Sequence, residues 1–144
     1  MQYLLKPMLF AVLTVLGVAL AIMPAHAQSG RRVLANIPFD FSIGNTTLKA
    51  GSYTVEQLES GITAFSSDDA GQHQFALTFP GESDKQNQEP HLIFIRYGNE
   101  AFLKRVFLSG NEDCQELPES SRERKLIKNQ ASGVELSLLI QPAR

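Results

Sequence analysis

Three side chains stand out as candidates for chemistry by type and setting. Asp40 lies between two phenylalanines in the alternating run Ile37-Pro38-Phe39-Asp40-Phe41-Ser42-Ile43. A carboxylate framed in this way either forms a site or marks how a strand is built. Arg96 and Tyr97 close the apolar stretch Leu92-Ile93-Phe94-Ile95. A guanidinium buried without a partner is costly. Arg96 must therefore snorkel to water or pair with a carboxylate such as Asp40; otherwise it is an anion-binding group at the mouth of a barrel or cleft. Arg96, Tyr97 and Asp40 are the candidate ligand-binding or pairing residues.

Other reactive groups are dispersed. His73 and His91 each open a strand, and neither H-x-H nor H-E-x-x-H spacing occurs. A metal site needs several convergent ligands, and no metal or cofactor is read from the sequence. Asp68-Asp69-Ala70-Gly71 is a turn rather than a calcium loop, because Ala70 stands where a third oxygen ligand would be needed. No G-x-S-x-G elbow and no phosphate-cradling glycine pattern is present, so no catalytic residue is assigned. Asn45-Thr46-Thr47 matches the glycosylation sequon, a weak signal at this length. Cys114 is the single cysteine. It leaves an intermolecular bridge, a Cys114-linked dimer, as the one disulfide open to the chain. Its acidic neighbours Glu112, Asp113 and Glu116 disfavour a thiolate nucleophile.

The elements that position these residues have a period of two. Ile37, Phe39, Phe41 and Ile43 alternate with Pro38, Asp40 and Ser42, which reads as one half-buried strand with Asp40 on the face away from the core. Pro38 confines that strand to an edge, or begins it. Gly51-Ser52-Tyr53-Thr54-Val55 reads as a glycine turn into a tyrosine-led strand, in the manner of a tyrosine corner. Ile62 to Ser66 is a further strand, and Phe75, Leu77 and Phe79 share one face of the next. Gly81 to Pro90 is a polar loop. Leu92 to Leu108 forms a hairpin, and its first strand is apolar on both faces and so central. Asp113 to Leu117 is a short strand. Ser120 and Glu123 form a capping box for a basic helix over Ser121 to about Lys128, lying on the surface as a lid or end-cap. Val134, Leu136, Leu138 and Ile140 make the last strand. The expected fold is an all-β antiparallel sandwich or small barrel of about seven or eight strands with one short helix.

The N-terminus has the composition of an export signal. Lys6 precedes the apolar run Met8–Ile22, and Ala25-His26-Ala27 has the A-x-A form of a cleavage site. Residues 1–27 are read as a signal peptide and 28–144 as a single β-rich domain. No stable membrane span is expected after cleavage. The formal charge of −2 becomes one unit more acidic without Lys6, and it lacks the basic footprint of a nucleic-acid partner.

The segments ANIPFDFSIGNTTLKAGSYTV, LIFIRYGNEAFLKRVF and ELPESSRERKL resemble a group of small exported bacterial proteins. The group shares the motifs I-P-F-x-F, G-x-Y and R-Y-G and a helix led by L-P-x-S. The resemblance spans nearly all of residues 28–144. It implies a bacterial source and an exported, periplasmic or extracellular single domain. It carries over no catalytic or binding residue.

The expected function is a non-catalytic exported β-domain that binds a small ligand, or a protein or envelope partner. Small barrels can hold one ligand. Protein recognition would instead need an exposed apolar patch or an unprotected strand edge. Two other expectations compete. One is a structural or assembly protein. The other is an envelope-polymer hydrolase, which would need Asp40, His73, His91, Arg96, Glu112 and Asp113 to converge in a cleft.

Overall fold

The computed structural model describes residues 31–59, 61–67, 69, 71–83, 89–108, 114–129 and 131–143. The expected signal peptide, the middle of the Gly81–Pro90 loop, and Glu112 and Asp113 lie outside the described residues.

The described residues form an all-β fold of two sheets with one helix. The first sheet runs, edge to edge, through β12 (Gln141–Pro142), β1 (Arg32–Ile37), β4 (Gly51–Glu59), β5 (Ile62–Ser67) and β6 (Gln72–Leu77). The second runs through β11 (Gly133–Leu139), β8 (His91–Tyr97), β9 (Glu100–Phe107), β10 (Cys114–Glu116) and β7 (Phe79–Pro80). The small hairpin of β2 (Phe41–Ile43) and β3 (Thr46–Leu48) joins the second sheet where Ser42 meets Phe102 of β9.

Inward positions of both sheets form one core. Val33, Ala35, Ile37, Tyr53, Val55 and Phe65 of the first sheet face Leu92, Phe94, Leu103 and Val106 of the second. Burying an aliphatic or aromatic side chain of this size stabilises the fold by roughly 1.5–3 kcal/mol. β8 lies between β11 and β9, as its two apolar faces require, and β8–β9 is the expected hairpin.

Two expectations need correction. The run Ile37–Ile43 is not one strand: β1 ends at Ile37, and the chain crosses at Pro38–Asp40 to β2 in the other sheet. Pro38 therefore ends a strand, and β1 is not an edge, since β12 and β4 flank it. Proline has no N–H for a ladder, which suits a residue leaving one sheet for another. Gly51 lies inside a strand rather than just before one, though its φ of +157° is a backbone conformation that favours glycine. It is the first residue of β4 and pairs with Ile37. The strands beyond the expected eight are the short β2, β3, β7 and β12, found beside such crossings.

The helix α1 (Ser121–Lys128) falls where the capping signal puts it. The Glu123 N–H donates to Ser120 Oγ at 3.1 Å. Only half of the expected box forms, because the Glu123 carboxylate turns inward to Lys104 Nζ at 3.2 Å. Glu123 is the one helix residue that is buried. Arg122 Nε reaches Glu100 Oε2 at 2.6 Å, so ion pairs rather than an apolar stripe hold the helix to the second sheet.

Candidate functional site

The chain passes between the sheets by short crossings, and two of them hold the residues of interest. At the first, Pro38–Asp40, Phe39 packs edge-on against Phe94 with ring centroids 5.2 Å apart. The Arg96 guanidinium lies 4.9 Å above the Phe39 ring, a cation–π contact. Asp40 does not pair with Arg96. Its Oδ2 accepts from Lys49 Nζ at 2.9 Å, and its Oδ1 accepts from the Ala50 N–H at 2.9 Å. The two bonds tie this crossing to the neighbouring one between β3 and β4. They also hold the Asp40 carboxyl below, and the Lys49 ammonium above, their ordinary values.

Tyr53 completes this corner. Its hydroxyl donates to Lys49 O at 2.6 Å, four residues back, while its ring packs against Phe41. That is the hydrogen bond expected of a tyrosine corner. Burial, then the nearby Asp40 charge, pushes its phenol above the usual range.

The structure thus brings Arg96 and Asp40 to either side of Phe39 but gives them separate partners. Tyr97 turns to Phe102 at 6.0 Å. Burial, then Glu123 and Glu119, raises its phenol above the ordinary value. Among the described residues, the titratable groups named for an active site, Asp40, His73, His91 and Arg96, lie apart. His73 is exposed on β6 beside Ser66, whereas His91 is buried and stacked on Phe107 at 4.2 Å. Cys114 is buried with Ile93 and Phe107, so two such thiols meet only if β10 opens.

The second crossing is Thr78, between β6 and β7. The Thr78 side chain is buried; its hydroxyl donates to Gln115 Oε1 at 3.1 Å and lies 3.4 Å from Thr63 Oγ1. Its N–H donates to Gly61 O at 2.8 Å. Gly61 has φ +88°, and a Cβ there would lie 3.2 Å from Thr78 O, so glycine suits both the turn and the contact. Around this polar crossing the apolar side chains point outward. Phe75, Leu77 and Phe79 are 63%, 69% and 58% exposed, while Ala76 is buried. The alternation put these three on one face of one strand; Phe75 and Leu77 do share a face of β6, the outer one, but Phe79 lies past the crossing, exposed on β7 of the other sheet. Ile62, Leu77, Phe79 and Pro80 line an open groove of about 510 Å³ beside it.

The edges beside these residues differ. Among the described residues β6 pairs with β5 alone. Thr78 directs its N–H toward the β5 side, so Ala76, Gln74 and Gln72 do the same by alternation. His73, Phe75 and Leu77 then turn their main-chain groups outward, where the Phe75 carbonyl accepts from the exposed Gln74 side-chain amide at 2.9 Å. Gln72 to Pro80 contains no Asp, Glu, Lys or Arg. The other sheet ends are guarded by the devices natural edges use. β12 is two residues long and ends in Pro142, β7 is two residues long and ends in Pro80, and β11 carries the exposed Glu135. Among the described residues β11 is the longer edge and also exposes Val134 and Leu139, but β6 is the multi-residue edge that carries no charged side chain. Sequence reasoning missed it, although the charge-free run was readable.

Among the described residues no helix is long and apolar enough to cross a membrane. No protein-family model matches the chain, and no curated protein or solved structure shows significant similarity to it.

Proposed function

We propose that the chain is an exported, non-catalytic bacterial β-domain that binds a protein or envelope partner by strand addition at the open edge of β6. The observation that carries this reading is the conjunction at β6 of outward main-chain groups, exposed Phe75 and Leu77, and no charge. In strand addition the main chain supplies affinity and alternate side chains supply selectivity. The dispersal of Asp40, His73, His91 and Arg96 favours binding over hydrolysis. The apolar groove beside Leu77 and Phe79 supports a second reading, a small apolar ligand. Export rests on the N-terminal pattern and on the resemblance described above.

The test places a photo-crosslinking residue at Phe75, and in a separate variant at Glu135, in the full chain produced in a bacterial host. Adducts to a second polypeptide at 75 and none at 135 are expected. Equal yields at the two positions would remove the case for β6. Fractionation of the same cells checks export: the shortened protein belongs outside the cytoplasm.

A further inference from the structure

We propose that the occupant of this edge is the β6 strand of a second copy, antiparallel, about a two-fold axis at Phe75. The inference rests on the reading of β6 as the binding edge and specifies its partner. Three residues, His73, Phe75 and Leu77, turn their main-chain groups outward. The two-fold arrangement that uses all three sets Phe75 opposite Phe75, and His73 opposite Leu77 of the other copy. Each opposed pair exchanges two N–H···O=C bonds, about six across the joint once the exposed Gln74 amide swings off the Phe75 carbonyl it bonds at 2.9 Å, and the two first sheets become one continuous sheet.

Charge favours contact between two copies at this edge over the same contact at the other edges. In a two-fold contact each patch meets itself, so any charge near the axis would lie close to its own like. The whole chain is net negative, yet Gln72 to Pro80 is free of charged side chains. Two copies can approach along this strip without like charges opposed. β11 instead carries the Glu135 carboxylate, held by Arg105 at 2.9 Å, which a second strand would have to accommodate, and at β12 the Pro142 ring would interrupt the ladder. Phe75 supplies the apolar contact: two exposed rings pair across the joint, where directly opposed aromatic side chains stabilise a sheet. The self-pairing of an exposed, flat, apolar edge is the outcome that guarded edges prevent.

The experiment is sedimentation velocity of the full-length protein over a concentration series, with Phe75→Lys and Glu135→Lys beside it. Phe75→Lys opposes two ammonium groups at the axis, and it is expected to weaken self-association by about tenfold or more. Glu135→Lys is expected to leave it unchanged. Phe75 is largely exposed, so the lysine variant should fold, which its circular dichroism checks. Hydrogen exchange supplies the second readout: the Phe75 and Leu77 amides slow as concentration rises, and the Ala76 amide stays slow throughout. A protein that is monomeric at all concentrations overturns the inference, as does a dimer that survives Phe75→Lys. If that monomer still crosslinks from position 75 to a different polypeptide, the edge reading stands and only the second copy is lost. If position 75 crosslinks to nothing, both fail.

Discussion

The crossing at Pro38–Asp40 and the crossing at Thr78 do the same topological work with opposite chemistry. Both carry the chain from the first sheet to the second. The first turns its apolar residue, Phe39, toward the core and covers it with Arg96, while its charged residue bonds outward to Lys49. The second buries a threonine in a hydroxyl–amide network and turns Leu77 and Phe79 to the outside. A sheet crossing therefore does not by itself force apolar side chains into water. Where they are found there, beside an uncharged edge, a partner explains them better than the crossing does.

The comparison breaks most readily at the core rings. Phe94 touches both Phe39 and Phe41, at 5.2 and 5.6 Å. Phe94→Ala should cost about 3–5 kcal/mol, from lost transfer energy plus the cavity left behind. Leu77→Ala, on the exposed side, should stay within about 0.5 kcal/mol. Urea midpoints of the two variants, measured where the protein is monomeric, decide it. A comparable loss for Leu77→Ala would mean that the second crossing is packed like the first.

A smaller effect tests the polar network. Thr78→Val keeps shape but removes the hydroxyl that donates to Gln115, which is itself buried. An acceptor stranded in the interior costs about 1–3 kcal/mol. Tyr53→Phe removes the bond to Lys49 O at the other corner, where that carbonyl is closer to water, and should cost about 0.5–1.5 kcal/mol. Thermal unfolding of the two variants under one buffer should rank them in that order. The reverse order would show that the tyrosine corner, not the threonine crossing, is the tighter joint.

Much of this was legible in the chain because period-two alternation and turn residues are local signals. The β8–β9 hairpin, the helix from Ser121 and the Tyr53 corner all follow from a few adjacent residues. Alternation sorts side chains into two faces but does not say which face is inward. Phe75, Leu77 and Phe79 show this: the small Ala76 and the hydroxyl of Thr78 are the ones buried, because Thr63 on the neighbouring β5 and Gln115 on the other sheet meet that hydroxyl. Likewise nothing near Asp40 announces Lys49 as its partner over Arg96. That choice depends on the β2–β3 hairpin bringing Lys49 back, and β3 was invisible beside the turn at Gly44. Arg96 and Asp40 do come to the Phe39 crossing while Tyr97 packs on Phe102, and their pairings belong to the tertiary fold.

The mildest test concerns the pair that ties the first corner. Asp40 titrates lower when folded because Lys49 and the Ala50 N–H stabilise the carboxylate. Its stabilising contribution is present above its unfolded pKa of 3.8 and is lost as pH falls through the lowered folded value. Lys49 is raised above its unfolded 10.5, so its share is present below that value and is lost as pH climbs through the raised one. Asp40→Asn keeps an acceptor for Ala50 but loses the charge. The stability gap between wild type and Asp40→Asn should therefore be open at neutral pH and close toward both acid and strong alkali. Both groups stand in solvent, so the gap should be small and should shrink further in salt. No gap at neutral pH would show that the Ala50 bond, which asparagine keeps, and not the ion pair, holds the crossing. The first corner would then rest on neutral hydrogen bonds, as the second does, and the contrast between them would reduce to where the aromatic rings point.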